Sequence, residues 1–262
     1  MQPTMRDITI SLVSYNQRKD LERLLPMLVQ SAQSSEAEIL LVDNRSVDGT
    51  TKFVKAAFPQ IRVFFNPRKS GYGENHNLNL RKASGRYFVI MNSDMLVETD
   101  LFSSLRDYMD IHLDIGIVSP KILNEDRTIQ GLNKRYPTVL DLFLRRFVPG
   151  SIQRLCQRRL DYYEMRDIGY EHCVDVPFMS GAFMFCRTDL LQSLGGFDPK
   201  YFLYFEDVDL CRRVQQTYRT EYFPGVSVIH FWQRAAHKNW IHTLYFIKSA
   251  LRYFRKWGIR FY

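Results

Sequence analysis

Four short apolar runs, each ending in polar residues and each followed by a segment of helical period, constrain this chain more than any other feature. Ile8 to Val13 reads as a strand, and Asp20 to Ala32 places Leu21, Leu24, Leu25, Leu28 and Ala32 on one helical face. Glu38 to Val42 reads as a second strand ending at Asp43, Thr50 to Phe58 as a helix stopped near Pro59, and Ile61 to Phe65 as a third strand. Gly73 to Ala83 fits a further helix and Tyr87 to Met91 a fourth strand. This alternation predicts an α/β fold, a parallel sheet joined by crossover helices. Ligands of such sheets gather at the carboxyl ends of the strands. Those ends carry Ser14-Tyr15-Asn16, Asp43-Asn44, Asn66 and Asn92-Ser93-Asp94, all expected to face one crevice.

Beyond residue 95 the pattern loosens. A helix over Asp100 to His112 and a strand over Ile115 to Ser119 precede a basic, weakly periodic stretch from Lys134 to Gly169. An apolar segment from Phe178 to Cys186 and a strand over Val226 to His230 follow. The expected organisation is one domain over residues 1–230, with a nucleotide-binding part (1–95), a substrate-binding part (96–230) and a C-terminal helix within 231–262. At 262 residues the chain is long enough to bury such a core.

The balance of 36 Lys and Arg against 28 Asp and Glu leaves +8, which points to an anionic partner. A nucleotide diphosphate or a phospholipid surface fits; nucleic acid has no recognition module to support it. Cys156, Cys173, Cys186 and Cys211 show neither C-x-x-C nor zinc spacing, so reduced thiols in the cytoplasm are expected. No signal peptide is visible and no apolar run reaches the roughly 18 residues a spanning helix needs, so a soluble or peripheral protein is expected.

The acidic segment Glu206-Asp207-Val208-Asp209 carries the sharpest chemical signal. Carboxylates gathered on one short segment repel one another, and a proton, cation or polar substrate relieves that cost. Asp207 is the candidate general base and Glu206 a partner for acceptor hydroxyls. Asp209 and Arg213 stand four apart and pair if the segment is helical. Asp94, closing the fourth strand, is a candidate ligand for Mg²⁺ or Mn²⁺, and His230 either a second ligand or a structural residue. The Asp43 segment reads either as turn and cap chemistry or as a loop in which Asp43 accepts from a nucleobase N–H. Gly71-Tyr72-Gly73 fails the dinucleotide fingerprint because the third glycine position is His76, which leaves a flexible loop rich in side-chain amides. Gly181 serves either close packing or a sugar-facing wall.

From Lys238 to Trp257 the residues Trp240, Leu244, Ile247, Leu251 and Phe254 share one helical face, with Lys248, Arg252, Arg255 and Lys256 away from it. Such a basic amphipathic helix suits an anionic membrane surface, or docks on its own domain or a second copy. Arg145, Arg146, Arg154, Arg158 and Arg159 could join the same basic surface.

Taken together, these residues resemble the inverting glycosyltransferases of family two with the GT-A fold. The likeness is strongest to bacterial rhamnosyltransferases of O-antigen and cell-wall glycan synthesis. It runs from Ile8 to about His230 and rests on Ser14-Tyr15-Asn16, Asp43-Asn44, Asp48-Gly49-Thr50, Gly71-Tyr72-Gly73 with Asn75 and Asn77, Asn92-Ser93-Asp94, Ser180-Gly181-Ala182, Gly196-Phe197-Asp198 and Glu206-Asp207-Val208-Asp209-Leu210. The resemblance implies that Tyr15 and Asp43 hold the base, Asn92 lies near the ribose, Asp94 binds the cation and Asp207 is the catalytic base. Ser14, Asn16, Asn44, Gly73, Asn77 and Ser93 then fall with the donor, and Gly181 and Glu206 with the acceptor. The family's D-x-D metal motif reads Asn92-Ser93-Asp94 here. The implied donor is dTDP-rhamnose, the acceptor a lipid-linked glycan, and the place of action the inner face of the cell membrane. A UDP-hexose donor, or a non-catalytic nucleotide-sugar-binding subunit, are the alternatives.

Overall fold

The structure, a computed structural model, describes residues 6–231 and 240–262. The first half is laid down as β1 (Ile8–Ser14), α1 (Arg18–Ser34), β2 (Ala37–Asp43), α2 (Thr50–Ala57), β3 (Arg62–Phe65), α3 (Tyr72–Leu80) and β4 (Tyr87–Met91). These four strands pair in parallel in the order β3-β2-β1-β4. Their carboxyl ends share one edge, as the alternating pattern predicts.

The second half departs from a purely parallel sheet. It runs β5 (Met95–Val97), α4 (Leu101–Ile111), β6 (Ile115–Leu123), α5 (Val139–Phe147), α6 (Gly150–Leu155), α7 (Gln157–Tyr163), β7 (Val174–Asp175), β8 (Phe183–Arg187), α8 (Thr188–Ser193), α9 (Glu206–Val214), β9 (Arg219–His230) and α10 (Trp240–Trp257). The sheet continues as β8-β6-β9-β5, with β8 antiparallel to both β4 and β6, and β6 parallel to β9. The beginning of the expected C-terminal helix at Lys238 lies outside the described residues.

Both faces of the sheet are covered, and strand alternation decides which residue goes where. Tyr87, Val89 and Met91 join Ile8, Ile10, Leu12 and the buried stripe Leu21, Leu24, Leu25 and Leu28 of α1 in one cluster. Phe88 and Ile90 point the other way, onto Leu80, Leu190, Leu191 and Leu210. On the α3 side, the buried Asn79 amide donates to Ser11 Oγ (2.9 Å), the Leu12 carbonyl (3.1 Å) and the Leu40 carbonyl (3.2 Å), tying the helix to the two central strands.

The weakly periodic stretch folds into α5, α6 and α7. Thr138 caps α5 in a capping box with Asp141, and Arg159 bridges back to Asp141 at 2.7 Å. A third apolar cluster, Phe178, Tyr201, Phe205, Val208 and Tyr253, packs α10 against α9 through Phe246, Ala250, Phe254 and Trp257. All four cysteines are free thiols. No helix among the described residues is long and apolar enough to cross a membrane.

Candidate active site

The strand ends, the acidic segment and the inner faces of α5 and α10 enclose one cleft of about 1750 Å³. Tyr15, Asn16, Asn44, Asn92, Ser93, Asp94, Gly181, Glu206, Asp207 and His230 all line it. Residues as distant in sequence as 15 and 230 are therefore neighbours.

At one end, His230 closes β9 beside the Asn92-Ser93-Asp94 turn. Its Nε2 lies 3.3 Å from Asp94 Oδ1 and 3.3 Å from Asn92 Nδ2. Its Nδ1 is 2.9 Å from Gln130 Oε1, and the Gln130 amide donates to the His230 carbonyl at 2.7 Å. With the amide so oriented, Nδ1 carries the proton and Nε2 turns a lone pair to the carboxylate. Asp94 Oδ1 is buried with no hydrogen-bond partner among the described residues. Two electron-rich atoms face each other across a gap, an arrangement that a cation or a proton relieves. Gln130 is the kind of outer partner that fixes the tautomer of a ligating histidine. No group of three or more His, Cys, Asp or Glu gathers among the described residues, so Asp94 and His230 stand here as a pair. A cation held here would draw its remaining ligands from substrate oxygens and water, as Mg²⁺ and Mn²⁺ commonly do.

At the other end stands α9. Tyr204 and Phe205 both have φ of 68°. Two successive non-glycine residues in the left-handed region cost about 1 kcal/mol or more each, a strain that clusters at functional sites. The turn they make starts α9 so that Glu206 and Asp207 open onto the cleft. Asp207 Oδ2 accepts from the Gly181 N–H at 3.1 Å and Oδ1 from the Val208 N–H at 2.9 Å. Burial raises the Asp207 pKa, opposed by the charge of Lys134. Glu206 is pushed well above the ordinary carboxyl range by burial and by Asp207, and its Oε2 has no partner among the described residues.

Tyr72 joins the two ends. Its hydroxyl donates to the Gly181 carbonyl at 2.7 Å and lies 3.0 Å from Asn92 Oδ1. Burial and the charges of Glu206, Asp207 and Asp94 raise its pKa, so it stays a donor. Neither Tyr72 nor Gln130 was assigned a role from sequence. Tyr72 belongs to the glycine-flanked motif, whereas Gln130 carries no sequence signal.

The residues expected at the nucleoside form a knitted rim. Asn16 Oδ1 accepts from the Val47 N–H (2.8 Å), and the Asn16 N–H donates to Ser46 Oγ (2.9 Å). Asn44 makes reciprocal bonds with the Ser70 backbone at 3.0 and 3.1 Å. Asp43 is buried, accepting from the Ser46 N–H at 2.7 Å and from the Thr51 hydroxyl. Tyr15 is 47% exposed, with Lys69 Nζ 4.9 Å from its ring centre, leaving an aromatic face at the mouth of the cleft. Ser14 is buried beneath this rim.

Gly73 and Asn77 are not among the residues that line the cleft. Asn77 exchanges two 2.8 Å bonds with the Phe197 backbone. A Cβ at Gly73 would meet the Phe197 ring at 2.7 Å, so the glycine is needed for packing. Gly195 and Gly196, at φ 73° and 69°, are the left-handed residues of the turn that Asn77 clamps. Asp209 pairs with Arg213 at 2.9 Å, as the spacing predicts.

The chain is similar to known proteins in sequence and in fold. Among curated proteins the chain is similar to the N-acetylglucosaminyl-diphospho-decaprenol L-rhamnosyltransferase of Mycobacterium tuberculosis, 25% identical over 241 residues that cover 85% of this chain and 75% of that protein. It is also 25% identical over 177 residues to the rhamnosyltransferase WbbL of Escherichia coli, covering 64% of this chain and 62% of WbbL. The fold matches the mannosyltransferase PcManGT of Pyrobaculum calidifontis, solved with GDP-Man and Mn²⁺, at a TM-score of 0.64 and 20% identity, covering 95% of this chain and 66% of that one. This chain thus spans less than two thirds of WbbL and of PcManGT. The model of the family described as glycosyl transferase family 2 matches residues 9–195, well over half of the sequence, and the chain therefore belongs to glycosyl transferase family 2.

Proposed function

We propose that this glycosyltransferase moves L-rhamnose, with inversion, from dTDP-rhamnose to a sugar hydroxyl of a lipid-linked glycan acceptor in cell-surface polysaccharide synthesis such as that of O-antigen, working at the inner face of the cell membrane. The observation that carries this reading is the placement of Asp207 and of the Asp94–His230 pair in one cleft, bridged by Tyr72. The names of the mycobacterial and WbbL relatives support the sugar, and the former's name a lipid diphosphate acceptor.

In this reading Asp207 accepts the proton of the acceptor hydroxyl as that oxygen attacks the anomeric carbon, and the Gly181 N–H holds the carboxylate in place. Single displacement inverts the centre, so no enzyme nucleophile is required. Asp94 and His230 hold a divalent cation, Mg²⁺ or Mn²⁺, which when bound neutralises charge on the departing nucleotide diphosphate. Tyr15, Asn16 and Asn44 border the nucleoside, within the donor-binding part (1–95), and Glu206 and Gly181 face the acceptor from the second part (96–230).

Nucleotide release is to be followed over a panel of sugar nucleotides with Mn²⁺ or Mg²⁺ and a lipid-linked N-acetylglucosamine acceptor, for the wild type and Asp207→Asn. Turnover of dTDP-rhamnose alone, lost in the variant, is the expected result. Turnover of a UDP-hexose instead would overturn the sugar, and turnover surviving in the variant would overturn the base.

A further inference from the structure

We infer that the cleft wall formed by Lys134 and Arg145, with Arg146 beside them, binds the phosphate groups of the acceptor, and that the exposed apolar residues of α5 and α10 next to it receive the acceptor's lipid. This rests on the reading of the cleft as a transferase site.

Reciprocal 2.9 Å backbone bonds with Phe178 fix Lys134 at the cleft. Its ammonium lies 4.8 Å from the Phe178 ring centre and makes no hydrogen bond or ion pair among the described residues. Burial and the neighbouring Arg145 push its pKa down to about 8. Arg145 pairs with Glu164, but Glu164 also takes Arg166 at 2.9 Å, so one carboxylate serves two guanidinium groups. Arg146 donates to Thr243 at 2.8 Å and lies 5.5 Å from the Phe246 ring centre. The wall gathers more positive charge than its acids, Glu164 and Asp207, offset. Cations crowded in a partly desolvated wall call for an anion.

That anion belongs to the acceptor. The charges that act on Lys134 are Arg145, Asp207 and Glu164, whereas the Asp94–His230 pair lies across the Tyr72 bridge. The apolar surface beside the wall supplies the second argument. Leu142 of α5 and Ile241, Tyr245 and Phe246 of α10 line the cleft with Arg145 and Arg146, Ile241 being 42% exposed, and the same two helices expose Phe143, Phe147 and Leu244 farther out. Charge followed by apolar surface is the order in which a lipid diphosphate presents itself.

Calorimetry with farnesyl diphosphate, farnesol and dTDP plus Mn²⁺ tests this on the wild type, Lys134→Met, Arg145→Gln and Lys134→Arg. Farnesyl diphosphate should bind the wild type, bind Lys134→Met and Arg145→Gln about tenfold or more weakly, and recover in Lys134→Arg, the effect of a charge-assisted hydrogen bond. Affinity for dTDP should stay within about twofold throughout. Retained farnesyl diphosphate binding in both neutralised variants, equal binding of farnesol, or loss of dTDP binding instead would overturn the inference. Failure of the enzyme to turn over dTDP-rhamnose would refute the proposed donor while leaving these binding results to be read by themselves.

Discussion

The Gly181 N–H donates to Asp207 Oδ2 at 3.1 Å while the carbonyl of the same glycine accepts from the Tyr72 hydroxyl at 2.7 Å. The candidate base is therefore oriented by a main-chain segment that the donor-side tyrosine also grips. A base held this way acts on the acceptor proton and contributes little to donor affinity. Asp207→Asn should lower kcat by about 10²-fold or more while leaving the Kd for dTDP unchanged, as seen by initial rates and calorimetry. A parallel loss of dTDP affinity would make Asp207 a binding residue.

The pH dependence follows from the same carboxylate. Asp207 must be deprotonated to act, and burial raises its pKa, so kcat/KM should rise with pH along an acid limb. Lys134 is the cation that opposes the raise. Lys134→Met removes it, the pKa climbs further, and the acid limb should move to higher pH with an acceptor that lacks phosphate. An unmoved limb would mean that Lys134 does not act on Asp207.

In the proposed reading, His230 and Asp94 answer to the cation. Asp94→Asn and His230→Ala should each weaken Mn²⁺-dependent dTDP binding, and should leave residual cation-independent binding less affected. Gln130→Ala frees the imidazole without removing it and should raise the Mn²⁺ midpoint by about 10-fold or more, the usual cost of losing an outer partner. Metal titrations of nucleotide binding read all three variants. An unchanged midpoint in Gln130→Ala would leave the glutamine a purely structural tie to β9.

Much of this is legible in the sequence, for a physical reason. β1, β2 and β4 are apolar runs almost wholly buried between two helix layers, so composition alone marks them, whereas β3 at the sheet edge leaves Arg62 and Phe65 exposed. The polar ends of all four mark the cleft. Contacts formed at long range left no such mark. Asn77 reads as a ligand amide, yet its partner Phe197 is 120 residues away. The antiparallel insertion of β8 next to β4 follows from the path of residues 124–182, which periodicity does not encode. The helices α5 to α7 did carry one local signal, the Thr138–Asp141 capping box, within a stretch that otherwise looked aperiodic. In α10 Trp240, Leu244, Ile247 and Leu251 of the expected stripe stay exposed, but its fifth member Phe254 turns inward and docks on the domain with Phe246, Tyr253 and Trp257.

That docking is fastened at Asp209. The fully buried carboxylate receives Arg213 at 2.9 Å, Lys256 at 2.7 Å and the Trp257 indole N–H at 2.9 Å, so the C-terminal helix and the acidic helix share one ion cluster. Removing the acid leaves the indole N–H without its acceptor and strips Arg213 and Lys256 of their nearest carboxylate. Asp209→Ala should destabilise the fold by about 3–5 kcal/mol in denaturant unfolding. A loss below 1 kcal/mol would show that water replaces the carboxylate readily.

The stripe that does not dock is the one free to meet a membrane. Trp240, Leu244 and Leu251 are 70%, 54% and 67% exposed. Residues 139–160 and 240–262 together hold ten Lys and Arg against one acid, Asp141, a net charge that exceeds the +8 of the whole chain. Asp141 is buried against Arg159 and offsets that one cation alone. Apolar side chains flanked by cations bind anionic lipid interfaces. Replacing Trp240, Leu244 and Leu251 together by Ser should abolish flotation with phosphatidylglycerol vesicles. The Tm should stay within a few degrees, because exposed side chains contribute little to the core. Deleting the helix would be a poorer test, since it would also uncover Phe205, Val208 and Tyr201. Wild-type flotation that high salt reverses would assign the larger share to the cations, and flotation unchanged in the triple variant would exclude this stripe as the membrane contact.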